Sequence, residues 1–341
     1  MFILHGILSQ QVQENTVIKP ATGARTPNSV NYRFSGHETF PCRYAWLPKA
    51  VRHLNSKPDL FSDEDDAMVK LGVGKNMVRA IRFWADAASV AHFDKQTGAF
   101  HVSSFGNEVF GDCGHDEFLE DIKTLWLIHW KLSTNSEEPL FSWHHMLNYW
   151  HRSDFTSTEA LLVFKQEADR LERRLSPVTL EHHFTTFLHT YVPTRSKKGE
   201  VLEDNLDCPL VELELIQPIG ERTMAETGRR EAIYAFRVEE KPEISPELFI
   251  YCLHDFWNAR HPDEATLSFR QVGVGEGGPG QVFKLPEHAI RDRLDAIEKD
   301  SNGQFIYQES AALQQLIRRK TPSESVILGK IYHTSKASRP L

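Results

Sequence analysis

The sequence predicts a mainly α protein with small β-hairpins, of the α+β class, and three observations carry that expectation. Apolar residues recur at three- and four-residue spacing through most of residues 116–192, the signature of amphipathic helices. A "GVG" break at 72–74 separates two helical runs. Short strand-like runs then flank "DKQTG" at 94–98 as in a hairpin.

The N-terminal elements come first. "DEDDAMVKL" at 63–71 reads as a short helix with acids in its first turn, where the helix dipole favours them. "KNMVRAIRFWADAA" at 75–88 is the next helix. Met77, Val78, Ile81, Trp84 and Ala85 share one side of it, and Lys75, Asn76, Arg79 and Arg82 the other. Helix, turn, helix and hairpin is the order of a winged helix-turn-helix, with those four residues as candidate DNA contacts. The same pattern also describes an ordinary solvated helix face. No acid lies between Ala67 and Ala85, and a hairpin follows, so DNA contact is the favoured reading.

Helical runs at 120–132, 141–150, 156–175 and 176–192 follow. Thr156 or Ser157, and Ser176 before Pro177, are suited to capping. "PTRSKKGEVLEDNLDCP" is a polar loop, and "PLVELELIQPIG" and "EAIYAFRVEE" read as strands. In the last third, 245–260 is a helix, "TLSFRQV" and "GQVFKLP" read as strands about the tip "GVGEGGPG", and a helix starts at Pro286. That could form a second winged unit. The expected parts are an arm at 1–30, a winged helix-turn-helix at 31–115, a helical domain at 116–200 and an α/β domain at 201–341.

The bulk numbers exclude some classes. With 341 residues, several domains are expected. A net charge of -8 argues against coating nucleic acid by bulk charge, though a local basic face remains compatible with it. The four cysteines are dispersed, as in reduced, cytoplasmic chains. No apolar run has membrane-spanning length.

Nucleotide and metal motifs fail on inspection. A phosphate-binding loop ending at Gly74-Lys75 would need glycine where Val69 stands and a hydroxyl where Asn76 stands. "GVGEGG" at 273–278 has dinucleotide-fingerprint spacing but is read as leading into a strand. "HETFP" at 37–41 ends in Pro41 instead of the second histidine of a zinc motif. His144-His145 and His182-His183 are adjacent, so their side chains diverge on a helix.

"FSGHETFPCRYAWLPK" at 34–49, "LGVGKNMVRAIRFW", "EDIKTLWLIHWKL" and "LEDNLDCPLVELELI" occur in this order. Together they resemble the SspB-like family of bacterial DNA phosphorothioation anti-phage systems. The resemblance covers about residues 32–300. It implies a DNA-acting partner of a PAPS-reductase-like sulfur-transfer enzyme and an ATPase of the same system. The implied chemistry is nicking of one strand to admit sulfur. A non-catalytic adaptor that recruits the sulfur-transfer enzyme, and a transcription regulator, are the alternatives.

The resemblance supplies no catalytic residues, so candidates come from residue chemistry. Phosphodiester cleavage needs an activated nucleophile and cations for developing charge. His37, Glu38 and Arg43 are the favoured set, since a His-Glu pair among Phe34, Phe40 and Trp46 needs a reason. A structural role at the domain entrance explains them equally well. His115, Asp116, Glu117, Glu120 and Asp121, and Glu203, Asp204 and Asp207, read as solvated or helix-capping acids. A nuclease would need a divalent metal or a base, and the sequence leaves the metal and a homodimer open.

Overall fold

Three helices and a two-stranded hairpin follow one another from residue 46 to residue 102 in the computed structural model. It describes residues 30–193, 208–224, 228–310, 313–321 and 323–336. Residues 1–29 of the expected arm at 1–30 and the acids Glu203, Asp204 and Asp207 lie outside the described residues.

Helix α1 (Trp46–Ser56) buries Trp46, Leu47, Ala50, Val51 and Leu54. Helix α2 (Glu64–Leu71) starts where the Asp63 carboxylate accepts from the amides of Asp65 and Asp66, relieving orphan donors. It stops at Gly72, whose left-handed conformation (φ 66°) is one that glycine adopts without strain. Helix α3 (Lys75–Ala87) buries Val78, Ile81, Trp84 and Ala85, as their spacing predicts. Strands β1 (Ala91–Asp94) and β2 (Ala99–Val102) pair antiparallel, and α4 (Ser104–Phe110) follows.

The helical middle holds α5 (Ile122–Thr134), α6 (Phe141–His144), α7 (Ser157–Arg170) and α8 (Pro177–Tyr191). Thr156 and Glu159 form a capping box at the start of α7, and Ser176 caps α8 ahead of Pro177. After α6 the backbone widens into a π-turn at His145–Tyr149. Strand β3 (Asp154–Phe155) joins β5 (Arg230–Phe236), which pairs with β4 (Ile216–Thr223). The first part of "PLVELELIQPIG" is a 3-10 turn, Pro209–Leu213, and only the remainder is strand. Pro209 opens that turn, and its ring has no amide to donate to a ladder.

The C-terminal part corrects one expectation. "TLSFRQV" and "GQVFKLP" do not form a hairpin. Strand β6 is only Thr266–Ser268, and α9 (Pro246–Arg260) precedes it. The chain then runs through α10 (Phe269–Val274) and α11 (Pro279–Val282). The reason is packing. A Cβ at Gly278 would meet the Gln271 carbonyl at 2.5 Å, and one at Gly280 the Gly273 carbonyl at 2.5 Å. These glycines let two short helices touch. The three-stranded sheet is completed after α12 (Glu287–Asp300) by β7 (Phe305–Glu309) and β8 (Gln314–Arg318), in the order β6-β8-β7. The C-terminal part thus repeats the helix-then-hairpin order from later residues.

Helix α13 (Glu324–Lys336) returns to the middle of the chain. Tyr332 stacks on His115 with centroids 4.9 Å apart, and its hydroxyl lies 2.9 Å from the Thr124 hydroxyl. No described helix is long and apolar enough to cross a membrane.

Candidate nucleic-acid interface and the loop behind it

Lys75, Asn76 and Arg82 are exposed on α3, and Arg79 is half-buried. The four residues share the face that the apolar stripe leaves to solvent. Two of them already hold an anion. Glu64 at the start of α2 lies 2.7 Å from Lys75 Nζ and 2.7 Å from Arg79 Nε. The hydrogen bonds from Arg79 and then Lys75 hold the Glu64 carboxyl down at about 2. Glu64 thus bridges the two cations with a single carboxylate. The hairpin beside α3 adds exposed residues that sequence reasoning did not single out: His92, Phe93, Lys95 and His101. Asp94 shapes its turn by accepting from the Gln96 amide at 2.8 Å and the Thr97 hydroxyl at 2.8 Å. The quoted turn "DKQTG" already contained Lys95.

Behind α3 lies the segment "FSGHETF". Trp84 Nε1 donates to the Phe40 carbonyl at 3.0 Å. A Cβ at Gly36 would come within 2.9 Å of the Phe83 ring, so only glycine lets the loop lie against α3. Arg33 pairs with Asp86 at 2.6 Å and lies 4.4 Å from the Phe83 centroid. The segment therefore grips α3 along its buried flank.

The loop turns through Gly36, Glu38 and Thr39, all at positive φ, which drives His37 inward. Its ring stacks on His183 of α8, and His37 Nε2 lies 3.3 Å from His183 Nδ1. The Ser142 amide donates to His183 Nε2 at 3.1 Å. The Thr39 amide donates to His37 Nδ1 at 3.0 Å, so each ring accepts a backbone N–H at the nitrogen facing away from the other ring. His37 Nδ1 in turn faces the Thr186 hydroxyl at 3.2 Å, whose own hydrogen goes to the His182 carbonyl. Burial, more than the nearby His182 and Arg33 charges, lowers His37 to about 4. Burial likewise holds His183 well below its usual value.

Glu38 and Arg43 are half-buried. The Arg43 guanidinium lies 5.8 Å from the Phe40 centroid and 5.6 Å from Trp46. The ring-nitrogen bonds of His37 run to α8 and to the loop backbone, away from any shared centre with these two. The other acidic run caps backbone: Asp116 accepts from the Glu120 and Asp121 amides, and Asp121 from the Lys123 amide. The paired histidines diverge as expected. His182 is exposed while His183 is buried, and His144 turns toward Glu276 while His145 packs on Phe141 and Phe164. Among the described residues no group of three His, Cys, Asp or Glu side chains could hold a metal ion.

The model of the family described as "Protein of unknown function (DUF4007)" matches residues 34–332. The chain belongs to the DUF4007 family. Two solved structures extend the likeness to the fold. One is the magnesium ion-bound SspB crystal structure, with a TM-score of 0.77, 26% identity and 92% of each chain covered. The other is an SspB crystal structure at 0.76 and 25%, again over 92% of each chain. This bears out the SspB-like resemblance and the α+β class read from the sequence. No curated protein matches the chain.

Proposed function

We propose that this DUF4007 protein is the DNA-acting component of a phosphorothioation-type defence system, binding duplex DNA with α3 in a groove and the β1–β2 wing on the backbone. The observation that carries the reading is the face of α3 formed by exposed Lys75, Asn76 and Arg82 and half-buried Arg79, after the turn that follows α2 and with a hairpin beside it. Arginine and lysine there offer phosphate contacts, and Asn76 and Arg82 offer groups that read base edges. The loop at 34–40 supports this by fixing α3 from behind.

The SspB likeness supports strand nicking as the chemistry, and a sulfur-transfer enzyme and an ATPase as partners. Of the sequence candidates His37, Glu38 and Arg43, the buried His37–His183 bond fits a positioning role for His37. One of the SspB crystal structures is magnesium ion-bound. Among the described residues of this chain no three-ligand cluster fits an ion. A second reading, a DNA-binding adaptor that recruits the sulfur-transfer enzyme, is favoured by Glu64, which already pairs with two of the three cations of the face.

Fluorescence anisotropy on a labelled duplex, measured against salt, tests the binding. Wild type binds with a negative salt slope, and Lys75→Ala, Arg79→Ala and Arg82→Ala together weaken binding without unfolding. Unchanged affinity in the folded triple variant refutes the α3 interface. Relaxation of supercoiled plasmid, with and without divalent metal, separates a nickase from an adaptor.

A further inference from the structure

Away from α3, one set of side chains has the connectivity of an activated nucleophile. Tyr32 lies in the extended segment ahead of Phe34. It is pinned there because the Arg33 amide donates to the Pro139 carbonyl at 2.9 Å and the Phe141 amide donates back to Arg33 at 3.1 Å. This places the Tyr32 hydroxyl 3.3 Å from Nδ1 of His144, the last residue of α6. His144 Nε2 lies 3.1 Å from Glu276 Oε1. Because the carboxylate only accepts, Nε2 carries the imidazole hydrogen and Nδ1 presents its lone pair to the Tyr32 hydroxyl. Nucleophile, base and orienting carboxylate follow in line, the order in which weak hydroxyl nucleophiles are activated.

The backbone around the set is unusual on both sides. The π-turn at His145–Tyr149 brings the Tyr149 hydroxyl onto the same Glu276 carboxylate that holds His144. Turns of this kind concentrate at functional sites. Glu276 arrives on the glycine-rich segment. There Gly277 (φ 76°) donates its amide to Asn148 Oδ1 at 2.7 Å, fixing the segment to the π-turn. The half-exposed Arg260 guanidinium, 3.0 Å from Glu276, stands at the rim. Hydrogen bonds, first from His144, keep the Glu276 carboxyl ionised down to about 2. Burial raises the Tyr32 phenol to about 12, so attack by Tyr32 requires a base in contact, and His144 is in contact.

We propose that Tyr32 is a nucleophile toward phosphodiesters, with His144 as its general base, Glu276 as the group that orients His144, and Arg260 as the cation for the developing charge. The proposal rests on the DNA reading above and assigns it a chemistry. The Tyr32 O–H bond breaks as its proton passes to His144 Nδ1, and the phenolic oxygen bonds to phosphorus. The bond from phosphorus to the leaving oxygen breaks, and His144 returns the proton to that oxygen. The products are a phosphotyrosyl linkage and a free hydroxyl, which on DNA is a nick with the protein attached.

The test uses the p-nitrophenyl ester of thymidine monophosphate, which carries the phosphodiester without a duplex. Full-length protein releases a burst of p-nitrophenolate near one equivalent, and mass spectrometry finds thymidylate on the peptide containing Tyr32. Tyr32→Phe keeps the ring and its packing on Phe141 but abolishes burst and adduct. His144→Gln slows the burst by about a hundredfold or more, while Tyr307→Phe, on β7, keeps it. No burst from folded wild type, or a burst that survives Tyr32→Phe, overturns the proposal. Duplex affinity measured on the same preparation separates the two readings. Binding without an adduct sinks only the nucleophile, and an adduct without binding sinks only the α3 interface.

Discussion

The imidazoles of His37 and His183 lie nearly parallel, 15° apart, with His37 Nε2 3.3 Å from His183 Nδ1 across 146 residues of sequence. This bond ties the loop behind α3 to α8 in the helical region. His37→Ala strips it and leaves a buried His183 nitrogen unpaired, at a cost of about 1–3 kcal/mol. Glu38→Gln, on a half-buried side chain of the same loop, should leave stability unchanged. Thermal melting of the two variants should show a lower midpoint for His37→Ala alone. Equal midpoints would show that the histidine bond does not hold the loop.

The buried histidines also set a pH dependence. Burial lowers His37 and His145 to about 4 and His129 to about 3. The unfolded chain therefore takes up protons near pH 6.5 that the folded chain refuses until much lower pH. Stability is fully present above about 6.5 and falls as pH drops from there toward 4. Urea midpoints between pH 7 and 5 should decline with a slope of more than one proton. His37→Phe should remove about one proton from that slope. A flat profile in this window would contradict the buried neutral rings.

Gly278 gives a steric prediction. A Cβ there would meet the Gln271 carbonyl at 2.5 Å and the Val272 carbonyl at 2.8 Å. Gly278→Ala should therefore push α10 and α11 apart and lower the melting midpoint, in the range of about 1–3 kcal/mol for overpacking. Gly303→Ala, with open space but φ 73°, bears only the backbone strain and should cost less. If both variants melt alike, the glycine-rich segment is not closely packed.

How far the sequence revealed this fold depended on whether a signal was local. Asp63, Gly72, Thr156 with Glu159, and Ser176 with Pro177 mark helix ends through bonds a few residues long, and those helices were legible. The segment at 273–280 was misread because glycine permits both a mobile turn and a close helix contact. Only the tertiary neighbours distinguish the two. The four cationic and amide residues of α3 were legible as a face. Glu64 was read as a helix-dipole acid, and nothing in sequence showed that it also reaches Lys75 and Arg79. His37 stood out as a buried polar candidate, but His183 is far along the chain. Tyr32 was missed because His144 and Glu276 lie 112 and 244 residues away by numbering, and no short motif joins the three. The doubled histidine and the lone acid among the glycines were the available hints.

Glu64 decides how much of the α3 face is free to bind. Its carboxylate bridges Lys75 and Arg79, so in the unbound protein these cations have an internal partner and condense fewer external anions. A DNA phosphate must displace that partner. Glu64→Gln keeps the shape and removes the charge, and should tighten duplex binding at low salt. It should also steepen the dependence of log affinity on log salt, by up to about two units for two freed cations. Arg82, exposed and on the same face, should contribute its contact in both backgrounds. Arg82→Ala should therefore reduce the slope by about one unit whether residue 64 is Glu or Gln. Anisotropy titrations across a salt series on the four proteins measure both effects. Weaker binding by Glu64→Gln would show that Glu64 supports the interface by holding Lys75 and Arg79 in place, and that the bridge does not compete with DNA.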